Sequence, residues 1–565
     1  MKNKLWMAAL ATTTALMLGG CTADEYMNVV TTTEPQQNQS EATGDEVTRL
    51  LTEAGFGDVR IEDVKYGDTD DEGTRYYFFT IEQPISHHNK SLGTYKQHAC
   101  LRATDLTAPV LLYTHGYEMP HKAMSIGANH VARALEASEL HVEHRYFDQS
   151  LPENHESLAF TYLNADEAAH DLDSLLVRLQ RTVLKNSKHW VSTGTSKDGM
   201  TTALLAYYAD KYGWTDKTRS DYFRMDVYVP FCAPFLTGTP ESCDDPQIGY
   251  YLYFDCGNGY EAGSAEEQAY RRLRKIPEAI VTNKNLREAC LRYYHYNNPD
   301  NYVEIIQKYG LDEEKVTCGL VNIYMANLFG KFSYVPFKEW ASMVPDIDTA
   351  VKDLPADIYT PEGTAIMNAI GRVAAFVMMN AKALDATIKQ NQYQAYGSNA
   401  LSAQTVADPK TLTDAEILEN LQAEVDFPYY IQAVKELGQI RFDFSMLDGV
   451  MFSEASTQDM GYLTSDISKL FEISTMLAKY ADQWDGGRLM TDFRDWAVNR
   501  CTANMVYVYA ENDPWTGGAI DNPNIANVKR LILKNNVHND YLFDSRYFSE
   551  DEAATVKNAI NAFLK

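Results

Sequence analysis

A chain of 565 residues with 50 Lys+Arg against 78 Asp+Glu carries a formal charge of −28, a field that repels phosphate backbones and anionic headgroups and sets nucleic-acid binding aside. Its 45% hydrophobic and 23% charged residues are ordinary globular proportions, which excludes disorder over most of the length. The length fits three or four domains at roughly 150 residues each, or one core with a large insertion, and the 37 Tyr and 22 Phe suit a large core or a groove that grips peptide or sugar.

Lys2 and Lys4 open the chain as a positive n-region, and Leu5 to Leu18 is apolar apart from Thr12, Thr13 and Thr14. This stretch is too short to span a bilayer and reads as a secretory signal. Leu18-Gly19-Gly20-Cys21 resembles the bacterial lipobox, in which the Cys21 thiol is lipidated and becomes the new N-terminus; an ordinary secretory signal is the alternative. Cleavage would remove Lys2 and Lys4 and take the charge from −28 to −30. Residues 22–45, rich in Thr, Gln, Asn, Ser and Glu, read as a flexible tether. Asp24 and Glu25 resemble the acidic export tags of some surface lipoproteins, so the expected location is the bacterial envelope, periplasm-facing or at the cell surface, with membrane contact only through the lipid.

From residue 46 the pattern alternates. Arg75–Glu82 and Tyr95–Arg102 read as a hairpin, and Val110–Tyr113 as a strand ending in Thr114-His115-Gly116. A helix over Ala123–Ala137, a strand over Leu140–Glu143, a helix over Asp166–Leu184 and a strand over Trp190–Thr193 follow. Next come a helix over Gly199–Tyr212 and a strand over Met225–Val229. This alternation predicts a mostly parallel sheet covered on both faces. After Pro234 helix follows helix, at Ala265–Lys275, Asn301–Tyr309, Ala365–Ile388, Asp414–Leu437 and Ser465–Tyr480. Strands return at Met505–Tyr509 and Lys529–Leu533, and Asp551–Leu564 is a closing helix. The expected organisation is an α/β core over 46–240, a helical cap over 241–495 and the rest of the core over 496–565.

Beyond Cys21, seven cysteines remain, so one thiol stays unpaired in a monomer; Cys243 with Cys256 and Cys290 with Cys318 are the pairs near enough in sequence to bridge, although sequence does not assign them. With no Cys-x-x-Cys and no His/Cys array, neither a metal site nor a cofactor is expected.

Gly194-Thr195-Ser196-Lys197-Asp198-Gly199 joins a predicted strand to a predicted helix, where a tight turn lifts a serine hydroxyl off the sheet and the helix N-terminus can stabilise an oxyanion. Taken singly, a turn serine is more often a helix cap. Context changes the weighing. Asp513 follows the strand Met505–Tyr509, with Pro514 fixing the turn, and His538 follows the last strand; Ser, acid and His then fall in α/β-hydrolase order. Asp540 and Asp544 are rival acids. In this reading His538 is the general base for Ser196 and Asp513 orients the imidazole. The Lys197 N–H, with an N–H from the Gly116–Tyr117 turn, would form the oxyanion hole. His115 is a rival base, though its place beside Gly116 favours a shaping role.

Four segments then resemble the bacterial secreted prolyl tri/tetrapeptidyl aminopeptidases, serine peptidases related to lysosomal Pro-X carboxypeptidase and dipeptidyl peptidase II. They are Val110–Tyr117; Val142–Phe147 with Ser150 and Pro152; Trp190–Thr201; and Glu511–Ala519. The similarity spans roughly 75–235 and 500–545, and two positions depart from it: His115 stands where an acid is usual and Asp198 where a Gly is usual. The resemblance implies an α/β-hydrolase core, the triad Ser196, Asp513 and His538, and a large all-helical cap over the site, inserted between the nucleophile half and the acid/His half.

Within Glu143-His144-Arg145, Glu143 is a candidate for the substrate ammonium, against the alternative of a charged cluster that bonds neighbouring loops. The expected function is thus an envelope-anchored serine exopeptidase that releases short peptides from free N-termini, with a preference around proline. An esterase on the same fold, or a peptide-binding lipoprotein with a degraded triad, are the alternatives. Peptides are the expected partners; oligomeric state is left open.

Overall fold

The computed structural model describes residues 45–63, 74–103, 105–126, 129–152, 160–257, 259–297, 313–374, 427–440, 480–534, 536–538 and 549–564. Cys21, the tether up to residue 44, the predicted helices Asn301–Tyr309 and most of Ser465–Tyr480, and the rival acids Asp540 and Asp544 lie outside them.

Nine strands form one sheet in the order β1-β2-β3-β5-β4-β6-β7-β10-β11. These are β1 (Gly57–Asp63), β2 (Arg75–Pro84), β3 (Thr94–Ala103), β4 (Val110–Thr114), β5 (Ser138–Val142), β6 (Trp190–Thr195), β7 (Val227–Phe231), β10 (Met505–Ala510) and β11 (Val528–Leu533). The first three run antiparallel and β3 pairs antiparallel with β5; every later pairing is parallel. The expected hairpin and all the expected core strands are present. β1 escaped the sequence reading because Gly-Asp-Val-Arg-Ile-Glu-Asp is a largely exposed edge strand without a clean apolar alternation.

Strands β4, β5, β6, β7 and β10 are buried along their whole length, as a sheet covered on both faces requires. Neighbouring residues feed opposite faces. Leu112 and Trp190 enter one core with helices α2 (Ala165–Arg181) and α3 (Lys197–Tyr212), while Leu111 and Val191 enter the other with Val131, Val556 and Ile560. A short helix α1 (Glu46–Glu53), capped by Asp45, buries Val47 and Leu51. The Asp45 carboxylate also accepts from Arg75 and Tyr77, which ties the start of the folded chain to β2.

The insert packs as its own apolar cluster. Helices α4 (Ala265–Thr282), α5 (Lys284–Asn297), α6 (Glu313–Tyr334) and α7 (Pro361–Ala374) bring Tyr270, Leu273, Tyr324, Phe332, Phe337 and Trp340 together, and Trp515 of the core joins them. It is not purely helical: β8 (Asp244–Asp245) pairs in parallel with β9 (Gln439–Ile440). The chain re-enters the core before the expected boundary at 496, since Met490 and Phe493 pack with Phe235 and Tyr507. Neither proposed disulfide forms. Cys243, Cys256 and Cys290 are thiols, with the Cys243 Sγ facing Gln439 and the Cys256 Sγ facing the Asn512 carbonyl. No helix among the described residues is long and apolar enough to cross a membrane.

Candidate active site

β6 runs straight into Ser196, whose backbone sits at φ 59°, ψ −124°. That region is strained for any residue with a Cβ and costs about 1–3 kcal/mol, so the surrounding structure must impose it. It does so by close packing. The Ser196 N–H donates to the Phe231 carbonyl at 2.9 Å, fixing the turn to the end of β7. A Cβ on Gly194 would lie 2.5 Å from the Asp198 carbonyl carbon, and one on Gly199 would lie 2.9 Å from the Gly194 and Phe231 oxygens. The Ser196 side chain makes no capping hydrogen bond to α3, so the helix-cap alternative does not describe it.

The turn after β4 lies against the start of α3. A Cβ on Gly116 would fall 2.7 Å from the Lys197 Cγ, so only glycine fits there. The Gly116 N–H donates to Asp198 Oδ1 at 2.5 Å, and the Lys197 ammonium donates to the Gly116 carbonyl. Both residues after Ser196 therefore hold the Gly116 peptide, one from each side. This corrects one expectation: the Gly116 N–H is already engaged by Asp198 and is not an oxyanion donor. It also gives Asp198 a role in place of the usual glycine. Lys197 begins α3, where N–H groups have no carbonyl partner within the helix. The Lys197 side chain is buried between the rings of Tyr117 and Phe147, 5.4 and 5.2 Å from their centroids. Burial pushes its pKa down to about 7.

Asp513 begins the turn after β10. Its Oδ1 accepts from the Trp515 N–H at 3.0 Å, and its Oδ2 lies 2.7 Å from His538 Nδ1. Both side chains are buried, and the His538 ring lies 5.6 Å from Trp515. The His538 N–H donates to the Ser333 carbonyl of α6 at 2.7 Å, so the insert holds the histidine loop directly. Because β6, β7, β10 and β11 are consecutive parallel neighbours, Ser196, Asp513 and His538 all leave the same edge of the sheet. Cys232, just after β7, was missed as a site neighbour because a lone Cys carries no motif. Its Sγ, with Asp513 and His538, forms a group whose ligand atoms lie within 4.8 Å of one another.

Glu143 does not fit the ammonium role. It is buried, Oε1 accepts from the Met119 N–H and lies 2.9 Å from His121 Nε2, and Oε2 accepts from Ser150. Burial alone would lower the His121 pKa, but Asp148 and Glu143 raise it to about 9, so Glu143 already has an imidazolium partner at neutral pH. Arg145 is likewise structural, with its guanidinium forked onto Asp171 at 2.7 and 2.8 Å. The loop-bonding reading of this cluster is the one the contacts support. His115 faces His141 at 3.1 Å within the sheet core, a shaping position.

Residues 45–223 match the family model described as PS-10 peptidase S37. The prolyl tri/tetrapeptidyl aminopeptidase of Streptomyces mobaraensis is 22% identical over 449 residues, covering 79% of this chain and 71% of that protein. Among solved structures, the proline iminopeptidase of Mycobacterium smegmatis aligns over 86% of this chain and 98% of its own, at 8% identity and TM-score 0.30. A hyperthermophilic esterase of Pyrobaculum calidifontis covers 40% and 57%, at 15% identity and TM-score 0.20. With the sheet order above and the match over residues 45–223, the chain is a serine peptidase built on an α/β-hydrolase core, similar to the S37 peptidases and to the prolyl tri/tetrapeptidyl aminopeptidases.

Proposed function

We propose that Ser196, His538 and Asp513 are the catalytic triad of an envelope-anchored exopeptidase that removes short peptides from free N-termini, with a preference around proline. The observation that carries this reading is the buried 2.7 Å contact of His538 with Asp513, on the sheet edge where Ser196 occupies a strained strand-to-helix turn. In the proposed reaction, Ser196 Oγ attacks the scissile carbonyl and gives its proton to His538 Nε2. Asp513 holds the proton on Nδ1 and stabilises the imidazolium. The tetrahedral oxygen is met by the Lys197 and Tyr117 N–H groups. The imidazolium protonates the leaving amine, and a water molecule then resolves the acyl-enzyme by the same relay.

Support for the exopeptidase specificity is architectural and familial. The insert contacts the acid turn and the histidine loop through Tyr251, Ser333 and Phe329, and the Streptomyces relative is named for a prolyl aminopeptidase activity. Anchoring rests on the lipobox-like Cys21. Cys21→Ser should release the protein from membranes after a high-salt wash; persistence in the membrane fraction would remove lipidation as the anchor.

The decisive comparison is a pair of peptides of identical sequence with an internal proline, one with a free and one with an acetylated N-terminus, analysed by mass spectrometry. The free peptide should lose a short N-terminal fragment. Acetylation should lower kcat/KM by about a hundredfold, in line with roughly 2–5 kcal/mol for breaking a buried charge pair. Equal cleavage of both would overturn the aminopeptidase reading. Ser196→Ala should abolish both cleavage and fluorophosphonate labelling with little change in melting temperature; retained activity would overturn the triad.

A further inference from the structure

Away from the sheet edge that carries Ser196, the start of α2 gathers a second set of titratable side chains. Asp166 and His170 stand four residues apart, hence on one face of the helix. His88, on the connection between β2 and β3, reaches the same face. The three residues place one ligand atom each within 4.8 Å of one another. Asp166 is oriented from both sides: Oδ2 meets His88 Nε2, and Oδ1 accepts from the Tyr212 hydroxyl at 2.7 Å. His170 is clamped by rings, with His87 stacked at 5.2 Å, His88 at 5.1 Å, Tyr212 at 5.1 Å and Trp214 at 4.7 Å. Yet its Nε2 is buried with no hydrogen-bond partner among the described residues.

A buried ring nitrogen without a partner is costly, and the His170 ring lies beside a carboxylate and a second imidazole.

We propose that His88, Asp166 and His170 form a binding site for one divalent transition-metal ion of the zinc class. Two imidazoles and one carboxylate suit such an ion, whereas calcium and magnesium demand oxygen ligands. Bonds of about 2.0–2.2 Å need the three donors drawn closer than the 4.8 Å envelope. The adjustment falls to His88, whose side chain is 56% exposed and which also opens the site to solvent. Tyr212 orients the carboxylate from outside the ligand set, and the ring clamp does the same for His170. A solvent molecule completes the coordination. The ion would tie the β2–β3 connection to the first turn of α2. That turn is where Glu436 of the insert accepts from the Ala165 N–H at 2.7 Å, so the site lies beside the junction of insert and core.

The test uses metal binding and not peptide cleavage, so its outcome is separate from the catalytic reading. The purified full chain, stripped with chelator, is titrated with Co2+ and followed by ligand-field absorption and equilibrium dialysis. Wild-type protein should bind an equivalent of Co2+ that Zn2+ displaces and excess Ca2+ or Mg2+ does not. His88→Ala and His170→Gln should each lose that equivalent. The Zn2+-induced rise in melting temperature should disappear with it. His88 is largely exposed, so His88→Ala should keep the wild-type melting temperature in chelator and provide a folded control. Absence of Co2+ binding by the wild type, unchanged stoichiometry in His88→Ala, or displacement by Ca2+ would each overturn the site.

Discussion

Gly116 is gripped at its N–H by Asp198 and at its carbonyl by Lys197, the two residues that follow Ser196, and this makes both of them positioning residues for the turn proposed to hold the oxyanion. Asp198→Ala leaves the Gly116 N–H without its acceptor, which should cost about 1–3 kcal/mol in stability. It should also lower kcat by about a hundredfold with KM little changed, because the turn can drift by an ångström; a drop in stability alone would make Asp198 structural only. Lys197 adds a pH dependence. Its folded pKa, pushed down to about 7 by burial, lies below the 10.5 of an ordinary lysine. Between those values the unfolded chain binds the extra proton, so this group's contribution to stability rises with pH. The burial penalty is fully present below pH 7 and fades above it. Lys197→Met should therefore gain stability relative to wild type most at pH 6, and that difference should shrink by pH 9.5, as read by urea midpoints. A pH-independent difference would show that the ammonium carries no such penalty.

Among the elements, the segment that follows β5 is joined to α2 by a buried ion pair. Arg145 forks onto Asp171 and also donates to the Ile85 and Tyr162 carbonyls, and Tyr95 and His87 complete the Asp171 carboxylate. Burial alone would raise the Asp171 pKa, but Arg145 and His87 hold it below the usual range. Arg145→Met strands a buried charge and should cost about 3–5 kcal/mol, whereas Arg145→Met with Asp171→Leu should recover most of the loss. Chemical denaturation of the two variants separates these outcomes. Within the segment Val142–Phe147, the most specific part of the family resemblance, Glu143 and Arg145 thus hold strand, helix and loops together.

Across the whole molecule, the insert and the core share the site. Trp515 follows Asp513, packs against Phe329 of α6 at 4.9 Å, and belongs to the apolar cluster of the insert, while Ser333 on the same helix accepts from the His538 N–H. The acid turn and the histidine loop are therefore shaped by helices more than 170 residues away in sequence. Trp515→Ala should destabilise the protein by about 3–5 kcal/mol. Because it loosens the support of Asp513 and His538 together, kcat should fall as well, measurable on a peptide with a free N-terminus. A loss of stability with full kcat would show that the insert only covers the site.

The strands were legible because each is a short apolar run between turn residues, and the proposed triad was picked out because Ser196, Asp513 and His538 follow such runs in a fixed order. Continuous apolar runs and strand-end placement are local properties, written in adjacent residues. What escaped depends on residues distant in the chain. The edge strand β1 carries no apolar alternation, since pairing on one side alone leaves it exposed. Glu143 read as a free carboxylate until the fold brought His121, Met119 and Ser150 to it. The Gly116 N–H read as a donor until Asp198, 82 positions on, was found to hold it. His88 and His170 form no motif, and only the packing of the β2–β3 connection on α2 makes them neighbours. The sequence by itself determined the sheet, its order of chemistry-bearing turns and the peptidase resemblance. Tertiary structure alone decided which polar groups are already satisfied, because a hydrogen bond spanning tens of residues leaves no periodic trace in either partner.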